Sequence, residues 1–377
     1  MNGVRDFATY VFAGTPVTVR FEAPGFADWL DEVLSPGFTR VEPDADAVTV
    51  VVRRGHVGPS DHSLAESIGS VPCFRFDREV VSLPGWQNGT TVELLDDKYG
   101  ARYLIRKEPV LSVEVHADGP WPRTRASLLR VVRELAIAQS LANDRSVRLH
   151  ASALECDGRV VLLTGPKGAG KTTVLAHLAS ATGAAVVTND CAFVSRTAND
   201  GWEVRPVPIS ISVRPETLTR LPHLFHDIAE VETLMQYTLE EAVVAAERHG
   251  TITAPRRLRL SPALFARAVQ GSLSAGGRLA TVGVLARDEA TVGTTIRSMA
   301  AGEASHRLRP MRYGLEASAS PRTVFEKLVD PEDRAAAAAD VITRLAGEVR
   351  CVEASVGADV LDSGAAGRNL LARLLDP

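Results

Sequence analysis

The sequence predicts an α/β protein in which a β-rich N-terminal domain precedes a domain built around a glycine-rich loop. Three observations support this fold class. Short β-branched or alternating runs fill residues 1 to about 117, an amphipathic helical pattern covers residues 122–143, and strands alternate with helices from residue 149 onward. A chain of 377 residues also exceeds what one hydrophobic core usually supports, so two domains are expected.

The N-terminal domain is expected over residues 1–120. Its candidate strands, separated by Gly, Pro and Asp turns, cover residues 8–12, 17–21, 47–52, 90–94, 101–106 and 111–115. One helix, over residues 27–34, interrupts them. These segments do not combine the residue types of a catalytic site, and we therefore assign this half to substrate recruitment or to a structural lid by default.

A connecting segment, residues 121–148, is expected to be mostly one helix. Leu128, Val132 and Leu135 recur at helical spacing, and Arg130 and Arg133 fall between them. This pattern indicates an amphipathic helix that packs one face on a core and joins the two halves.

The second domain, residues 149–377, contains the most specific motif of the chain. The motif matches G-x-x-x-x-G-K-[ST] and consists of Gly165, Pro166, Lys167, Gly168, Ala169, Gly170, Lys171 and Thr172, with Thr173 directly after it. An apolar β-branched run over residues 160–164 precedes it, and a helical pattern over residues 172–180 follows it. The motif therefore lies between a buried strand and a helix, which is the context of a P-loop.

A P-loop binds phosphate because its glycines let backbone N–H groups converge on phosphate oxygens at the positive end of a helix. We expect Lys171 to neutralise the β- and γ-phosphates, the hydroxyl of Thr172 to bind Mg²⁺, and Thr173 to line the site with the rest of the motif. The alternative is a glycine-rich turn with an accidental lysine, which the flanking strand and helix disfavour. The sequence therefore predicts that the chain binds a nucleoside triphosphate.

An acidic position follows the P-loop after one helix. The apolar run over residues 184–187 predicts a strand, and Asn189 and Asp190 stand just beyond it. We expect Asp190 at the C-terminal edge of the strand next to the P-loop strand, where its carboxylate would hold Mg²⁺ beside the phosphates. The alternative is an aspartate in an ordinary strand-exit turn.

The remainder of this domain is expected to continue the α/β pattern. Candidate helices cover residues 227–248, 262–270, 331–347 and 369–375, and candidate strands cover residues 203–213, 280–285 and 350–353.

Three blocks of this domain resemble the HPr kinase/phosphorylase family, whose fold is shared with phosphoenolpyruvate carboxykinase. They are the histidine-containing segment Leu149-His150-Ala151-Ser152-Ala153, the P-loop with its short interval to Asn189-Asp190, and the element Trp202-Glu203-Val204-Arg205. The resemblance covers about residues 148–215. The β-rich half before it resembles the layout of HPr kinase-like enzymes encoded with ribosomal-peptide modification pathways, some of which phosphorylate a serine of a precursor peptide.

The resemblance implies a P-loop kinase domain of the HPr kinase/carboxykinase type. Such an enzyme would use ATP and Mg²⁺ to phosphorylate a hydroxyl group of a peptide, a protein or a small molecule, and by analogy it would form a homo-oligomer. Thr172 and Asp190 are the implied Mg²⁺ ligands. The implied catalytic residues are His150, Lys171, Asp190, Glu203 and Arg205. For His150 the alternative is a histidine satisfied in the core, and for Glu203 and Arg205 it is a solvent-facing position.

The chain departs from the family at Asn189. The family usually carries two adjacent aspartates here, and the first is implied to act as general base on the acceptor hydroxyl. An amide takes up no proton, so a factor of typically about 10²–10⁴ in rate is either lost or supplied by another group such as His150. Three functions stay open: a kinase, a nucleotide-binding pseudo-kinase that recruits a partner or substrate, and an NTPase that switches conformation.

Composition argues against several classes of protein. The formal net charge of −4 disfavours a general nucleic-acid or membrane-surface binder, and no apolar run is long enough for a membrane-spanning helix. The four cysteines, Cys73, Cys156, Cys191 and Cys351, form no C-x-x-C pair, so neither a zinc site nor a disulfide framework is indicated. The first residues lack the charged-then-apolar layout of a signal peptide, and a cytoplasmic protein is expected.

Overall fold

The computed structural model of the chain describes residues 6–21, 26–42, 47–54, 66–74, 80–96, 100–106, 111–117, 121–142, 145–213, 258–286, 293–312, 335–357 and 363–376. The chain divides into two units, Met1–Asp144 with Glu316–Ala336 and Arg145–Leu315 with Ala337–Pro377. The described part of each unit contains a nine-stranded mixed sheet together with helices, which confirms the α/β class. Among the described helices, none has the length and the hydropathy that crossing a bilayer requires.

The first unit contains the first nine strands. In chain order they are β1 (Asp6–Phe12), β2 (Thr15–Phe21), β3 (Thr39–Val41), β4 (Val48–Arg54), β5 (Glu66–Phe74), β6 (Val80–Asn88), β7 (Thr91–Asp96), β8 (Ala101–Arg106) and β9 (Ser112–Ala117). Their order across the sheet is β3-β1-β2-β4-β9-β8-β7-β6-β5. The pairs β2–β4 and β4–β9 are parallel, and the other pairs are antiparallel. Strands β3, β5 and β6 lie outside the segments predicted from the sequence.

Two described helices belong to this unit, α1 (Phe26–Leu34) and α2 (Trp121–Leu141). Helix α2 corrects the expected amphipathic pattern, because Arg130 and Arg133 are only 4% and 3% exposed. The guanidinium of Arg130 donates to Asp96 at 2.9 Å and to the hydroxyl of Tyr103 at 2.6 Å. Arg133 is paired with Glu134 at 2.8 Å. These partners are what allow the arginines to leave water, since an uncompensated buried charge is costly.

The second unit contains the remaining strands. They are β10 (Ser146–Leu149), β11 (Ala151–Cys156), β12 (Arg159–Thr164), β13 (Ala185–Thr188), β14 (Ala192–Arg196), β15 (Trp202–Pro206), β16 (Ile211–Val213), β17 (Leu258–Leu260), β18 (Gly277–Ala286), β19 (Thr295–Ser298) and β20 (Arg350–Ser355). The large sheet has the order β10-β14-β15-β18-β12-β11-β13, and β20 pairs with both β18 and β19. Strands β16 and β17 form a separate two-stranded sheet.

Helices cover both faces of this large sheet. They are α3 (Lys171–Thr182), α4 (Pro262–Ala268), α5 (Ala301–Leu308), α6 (Ala335–Glu348) and α7 (Gly364–Leu375). Strand β12 contributes Val161 and Leu163 to a core with α3, α4 and α7, and Val160 and Leu162 to a second core with α5 and α6. Because both of its faces are buried, this strand is a continuous apolar run in the sequence.

Strand β11 lies between β12 and β13, which corrects the expectation that residues 184–187 form the strand next to the P-loop strand. The cause is the turn Asp157-Gly158, whose residues have φ of 52° and 74°. Positive φ at both central residues is typical of a type I′ hairpin turn, which folds β11 back along β12. Since β11 is antiparallel to both neighbours, β12 and β13 still run in the same direction and end at the same edge.

The extended segments β10–β11 and β13–β14 are each interrupted once, and the two interruptions lie side by side in this sheet. Strands β10 and β11 are separated only by His150, and β13 and β14 only by residues 189–191. Strand β10 pairs with β14 and β11 pairs with β13, so the two interruptions face each other. The polar residues of the candidate site stand in these two gaps.

The strand expected over residues 203–213 is in fact two strands, β15 and β16, which belong to different sheets. Pro206 and Pro208 lie at the break. Because proline donates no hydrogen bond to a strand ladder, the chain leaves the large sheet there. The helix expected over residues 227–248 lies outside the described residues.

We expect Gly276→Ala to lower the free energy of unfolding by about 3 kcal/mol or more. Gly276 has a φ of 102°, and a Cβ there would overlap the backbone carbonyl of Val204 on β15. Gly183 is the matched control, because it has a φ of 71° and no atom within 4 Å of an added Cβ. Gly183→Ala should therefore cost only the left-handed backbone penalty of about 1–2 kcal/mol. Urea unfolding of both variants checks this, and equal costs would contradict the close packing of β15 on β18.

Candidate active site

The P-loop leaves the sheet between the end of β12 at Thr164 and the start of α3 at Lys171. Gly165, Gly168 and Gly170 have φ of 144°, 88° and 85°, a region that residues with a side chain rarely adopt. Space also requires a glycine at the first position, since a Cβ on Gly165 would lie 2.7 Å from the carbonyl oxygen of Leu285 on β18. The loop conformation therefore follows from its glycines and from the neighbouring strand.

Helix α3 begins directly after the last glycine of this loop. Gly170 is its N-cap residue in a left-handed conformation, and the first helical bond runs from the N–H of Val174 to the carbonyl of Gly170 at 2.9 Å. The N–H groups of a first helical turn have no acceptor within the helix, and a glycine cap offers them no side chain. The loop and the helix thus present N–H groups and a positive dipole end that suit an anion.

The two lysines of the motif differ in their surroundings. Lys171 is only 7% exposed, and its ammonium donates to the carbonyls of Gly165 at 2.8 Å and Pro166 at 3.2 Å. Lys167 is exposed at the tip of the loop. The buried lysine therefore bridges its own loop, whereas the exposed one extends from it.

Strand β11 brings a histidine and an aspartate to the edge where the P-loop begins. Ala151 is paired with Thr164 on β12, and Ala153 is paired with Thr188 on β13. His150 directly precedes β11, and Asp190 lies two residues after β13. Neighbouring strands are about 4.8 Å apart, so the ends of β12 and β13 are separated by roughly 10 Å across β11. The structure thus brings together three of the sequence-predicted elements: the P-loop, His150 and Asp190.

His150 is held by its backbone and by its ring. Its N–H donates to the carbonyl of Met311 at 2.7 Å, and its carbonyl accepts from the hydroxyl of Thr164 at 2.9 Å. Ring atom Nδ1 lies 3.0 Å from the carbonyl oxygen of Asp190 and 3.3 Å from its Oδ1. Two acceptors beside Nδ1 favour a proton on that nitrogen, which leaves the lone pair of a neutral ring on Nε2. The backbone carbonyl is the nearer acceptor, so the carboxylate of Asp190 is not required to orient the ring.

Asn189 is buried next to this pair, with 4% of its surface exposed. The hydroxyl of Ser152 lies 2.8 Å from its carbonyl oxygen and 3.1 Å from its Oδ1, and the hydroxyl of Thr188 donates to the carbonyl of Cys191 at 2.9 Å. Side-chain hydroxyls thus replace the ladder bonds that are missing where β13 and β14 separate. The amide of Asn189 belongs to the structure of this turn, whereas 24% of the Asp190 side chain is exposed.

Glu203 and Arg205 lie on β15, which pairs with β14, and their assignment as site residues stays a prediction. Arg205 is paired in the ladder with Phe193, the second residue of β14, and Glu203 is paired with Ser195, two residues further along. The two side chains are also bound to each other, with the guanidinium Nε 3.0 Å from Oε1 of the carboxylate. Their contact is that of a half-exposed ion pair on β15.

The residues at the edge fit a magnesium ion by the chemistry of their donors. Thr172 offers a hydroxyl in the first turn of α3, and Asp190 offers a partly exposed carboxylate. Within the described part of the chain, no group of three or more His, Cys, Asp or Glu side chains could hold a metal alone. Mg²⁺ at nucleotide sites usually takes one or two protein oxygens and completes its shell with phosphate oxygens and water. Thr172 and Asp190 offer oxygen donors of the kind that this pattern requires.

Three hydroxyl residues of the edge, Ser152, Thr164 and Thr188, were not predicted from the sequence. A signal for their placement was present in Asp157-Gly158, since this dipeptide between two apolar runs indicates a hairpin. A hairpin at that point pairs Ala151 with Thr164, and it would have placed the segment containing His150 and Ser152 beside the end of the P-loop strand.

No protein-family model matches this chain, and no curated protein sequence matches it. Among solved structures, the HPr(Ser) kinase/phosphatase from Coxiella burnetii resembles it with a TM-score of 0.27 and 10% sequence identity. That alignment covers 61% of this chain and 99% of the other. A similarity of this size gives no information on what this chain binds.

Proposed function

We propose that this chain is an ATP-dependent phosphotransferase that moves the γ-phosphate of Mg·ATP to a hydroxyl group of a peptide, a protein or a small molecule. One observation carries the proposal. The pairing of β11 with β12 and β13 puts a hydrogen-bonded histidine and a partly exposed carboxylate at the edge where the P-loop leaves its strand. An anion cradle, a proton acceptor and a metal ligand at one edge are the parts that phosphoryl transfer requires.

Nucleotide binding would use the loop and the start of α3. The phosphates would accept from backbone N–H groups of the loop and of the first turn of α3, and Lys171 would exchange the carbonyls of Gly165 and Pro166 for phosphate oxygens. Thr172 and Asp190 would hold Mg²⁺ through their oxygens. When bound, the ion supplies positive charge to the phosphates.

His150 would act as the proton acceptor. The acceptor oxygen forms a bond to the γ-phosphorus, the bond from that phosphorus to the β,γ-bridging oxygen breaks, and ADP leaves with the electron pair of that bond. The hydroxyl proton passes to Nε2 of His150, while Nδ1–H stays bound to the carbonyl of Asp190. This carbonyl holds the ring in the required tautomer and stabilises the imidazolium, in the manner of the orienting group of a catalytic triad.

A second candidate function is nucleotide binding without transfer, either as a pseudo-kinase that recruits a partner or as an NTPase switch. The observation in its favour is Asn189, because this turn has an amide where a carboxylate base would be expected and the amide is buried. Both candidates use the same nucleotide site. For both we propose a cytoplasmic protein that requires neither nucleic acid nor membrane.

We expect Lys171→Met to weaken binding of a non-hydrolysable Mg·ATP analogue by about 10- to 100-fold, the loss typical of a charged hydrogen bond. Arg344→Met, on the exposed side of α6, is the matched control and should bind like the wild type. Titration calorimetry measures both affinities, and melting curves verify that the variants are folded. Equal affinities for Lys171→Met and wild type would exclude Lys171 from the nucleotide site.

Incubation of the wild-type protein with γ-labelled ATP then distinguishes the candidate functions. Label on a serine- or threonine-containing peptide or on a polyol indicates a kinase, free phosphate alone an NTPase, and binding without turnover a pseudo-kinase.

The role of Asp190 in metal binding predicts a metal-dependent effect of Asp190→Asn. The affinity for the Mg²⁺ complex of the analogue should fall about tenfold, whereas the affinity for the metal-free analogue should stay equal or rise, because a negative charge beside the phosphates is removed. Asp200→Asn is the control, since the Asp200 side chain is 77% exposed. Equal weakening with and without Mg²⁺ would make Asp190 a structural residue.

The proposed base predicts that His150→Gln lowers the rate of transfer by about 10²–10⁴-fold and leaves the affinity for nucleotide within about twofold. His306→Gln, at an exposed position of α5, serves as the control. A His150→Gln enzyme with the wild-type rate would exclude this base.

A further inference from the structure

The tip of the P-loop is a tight turn with a lysine at its corner. The N–H of Ala169 donates to the carbonyl of Pro166 at 3.1 Å, so Lys167 and Gly168 are the central residues of a β-turn. The φ of Gly168, 88°, matches the third position of a type II turn, which requires a residue that tolerates positive φ. Pro166, the residue before these two, further restricts the backbone because its ring fixes its own φ. The backbone of Lys167 is therefore held, while its side chain extends into solvent.

The charges of the two lysines of the loop are satisfied differently. The ammonium of Lys171 is bound by two carbonyls of the loop. For Lys167, no hydrogen bond or ion pair to another residue is found within the part of the chain that the structure describes. A P-loop needs only one lysine for its phosphates, and the second is an additional positive charge at the outer rim of the cradle.

We propose that Lys167 is a second phosphate-binding residue whose ammonium contacts the terminal phosphate of the nucleotide. The inference rests on the proposed nucleotide site. The β-phosphate lies in the cradle at the start of α3, within reach of Lys171, so a cation at the rim meets the phosphate that extends from the cradle. Such a contact exists with a nucleoside triphosphate and is absent with a diphosphate. Lys167 therefore makes the site discriminate between substrate and product nucleotide.

The same contact supports transfer. In phosphoryl transfer the negative charge is spread over the oxygens of the moving group, and added cations at that group lower the barrier more than a stronger base does. Asn189 contributes no charge to this edge, and Lys167 contributes one positive charge. The site thus combines one carboxylate, Asp190, with two lysines.

The test compares two nucleotides and two substitutions. Calorimetry with Mg·AMPPNP and with Mg·ADP is performed on the wild type, Lys167→Met and Lys167→Arg. We expect Lys167→Met to weaken Mg·AMPPNP by about tenfold and Mg·ADP by less than about twofold, and Lys167→Arg to retain most of the wild-type preference because it keeps the charge. Because the side chain extends into solvent, the three proteins should melt at similar temperatures.

Two results would overturn the proposal. Equal losses for both nucleotides would mean that Lys167 contacts the α- or β-phosphate, and unchanged affinities for both would mean that it only faces solvent. The failure of the proposed function is distinguishable. A wild type that binds both nucleotides but transfers no phosphate leaves the contact of Lys167 testable by binding and refutes only the transfer. A wild type that binds neither nucleotide refutes both.

Discussion

The register of β11 between β12 and β13 is the constraint on which the candidate site depends. Ala151 opposite Thr164 and Ala153 opposite Thr188 fix the level at which the two gaps meet. A shift of one residue would turn every side chain of β11 to the other face of the sheet and would remove His150 from Asp190. The turn at Asp157-Gly158 sets the β11–β12 part of this register, because a two-residue hairpin loop defines which residues are paired. A turn at the end of β11 opposite to His150 thereby determines the geometry of the polar edge.

Local features of the fold could be predicted from the sequence, whereas partners distant in the chain could not. The P-loop strand and helix were predicted to within one or two residues, because glycines and an apolar run determine them locally. The burial of Arg130 could not be predicted, since its charge indicates a solvent face unless Asp96, 34 residues away, is known to meet it. The predicted neighbour of the P-loop strand was wrong for a different reason: β11 intervenes through a local hairpin, whose signal is the dipeptide Asp157-Gly158.

Glu203 and Arg205 show what the strand ladder adds to a motif resemblance. Residues two apart on a strand share one face, so a glutamate and an arginine at this spacing neutralise each other wherever the strand lies. The ladder then sets their positions along β14, with Arg205 opposite Phe193 and Glu203 opposite Ser195. His150 was equally uncertain from the sequence, but it stands in a gap between two strands. There its ring nitrogen Nδ1 contacts the backbone carbonyl of Asp190, a residue that belongs to no strand.

The burial of Asn189 bears on the phosphoryl transfer proposed for this edge. A carboxylate in its place would be almost fully removed from water, and burial disfavours the ionised form that a base needs. An amide at this position avoids that cost and still accepts from Ser152, so the turn that holds Asp190 is maintained. In the proposed reaction, proton uptake is then left to the partly exposed imidazole of His150. Because the transition state of phosphoryl transfer gains more from positive charge than from base strength, the proposed combination of one carboxylate, one imidazole and two lysines is consistent with transfer to a hydroxyl.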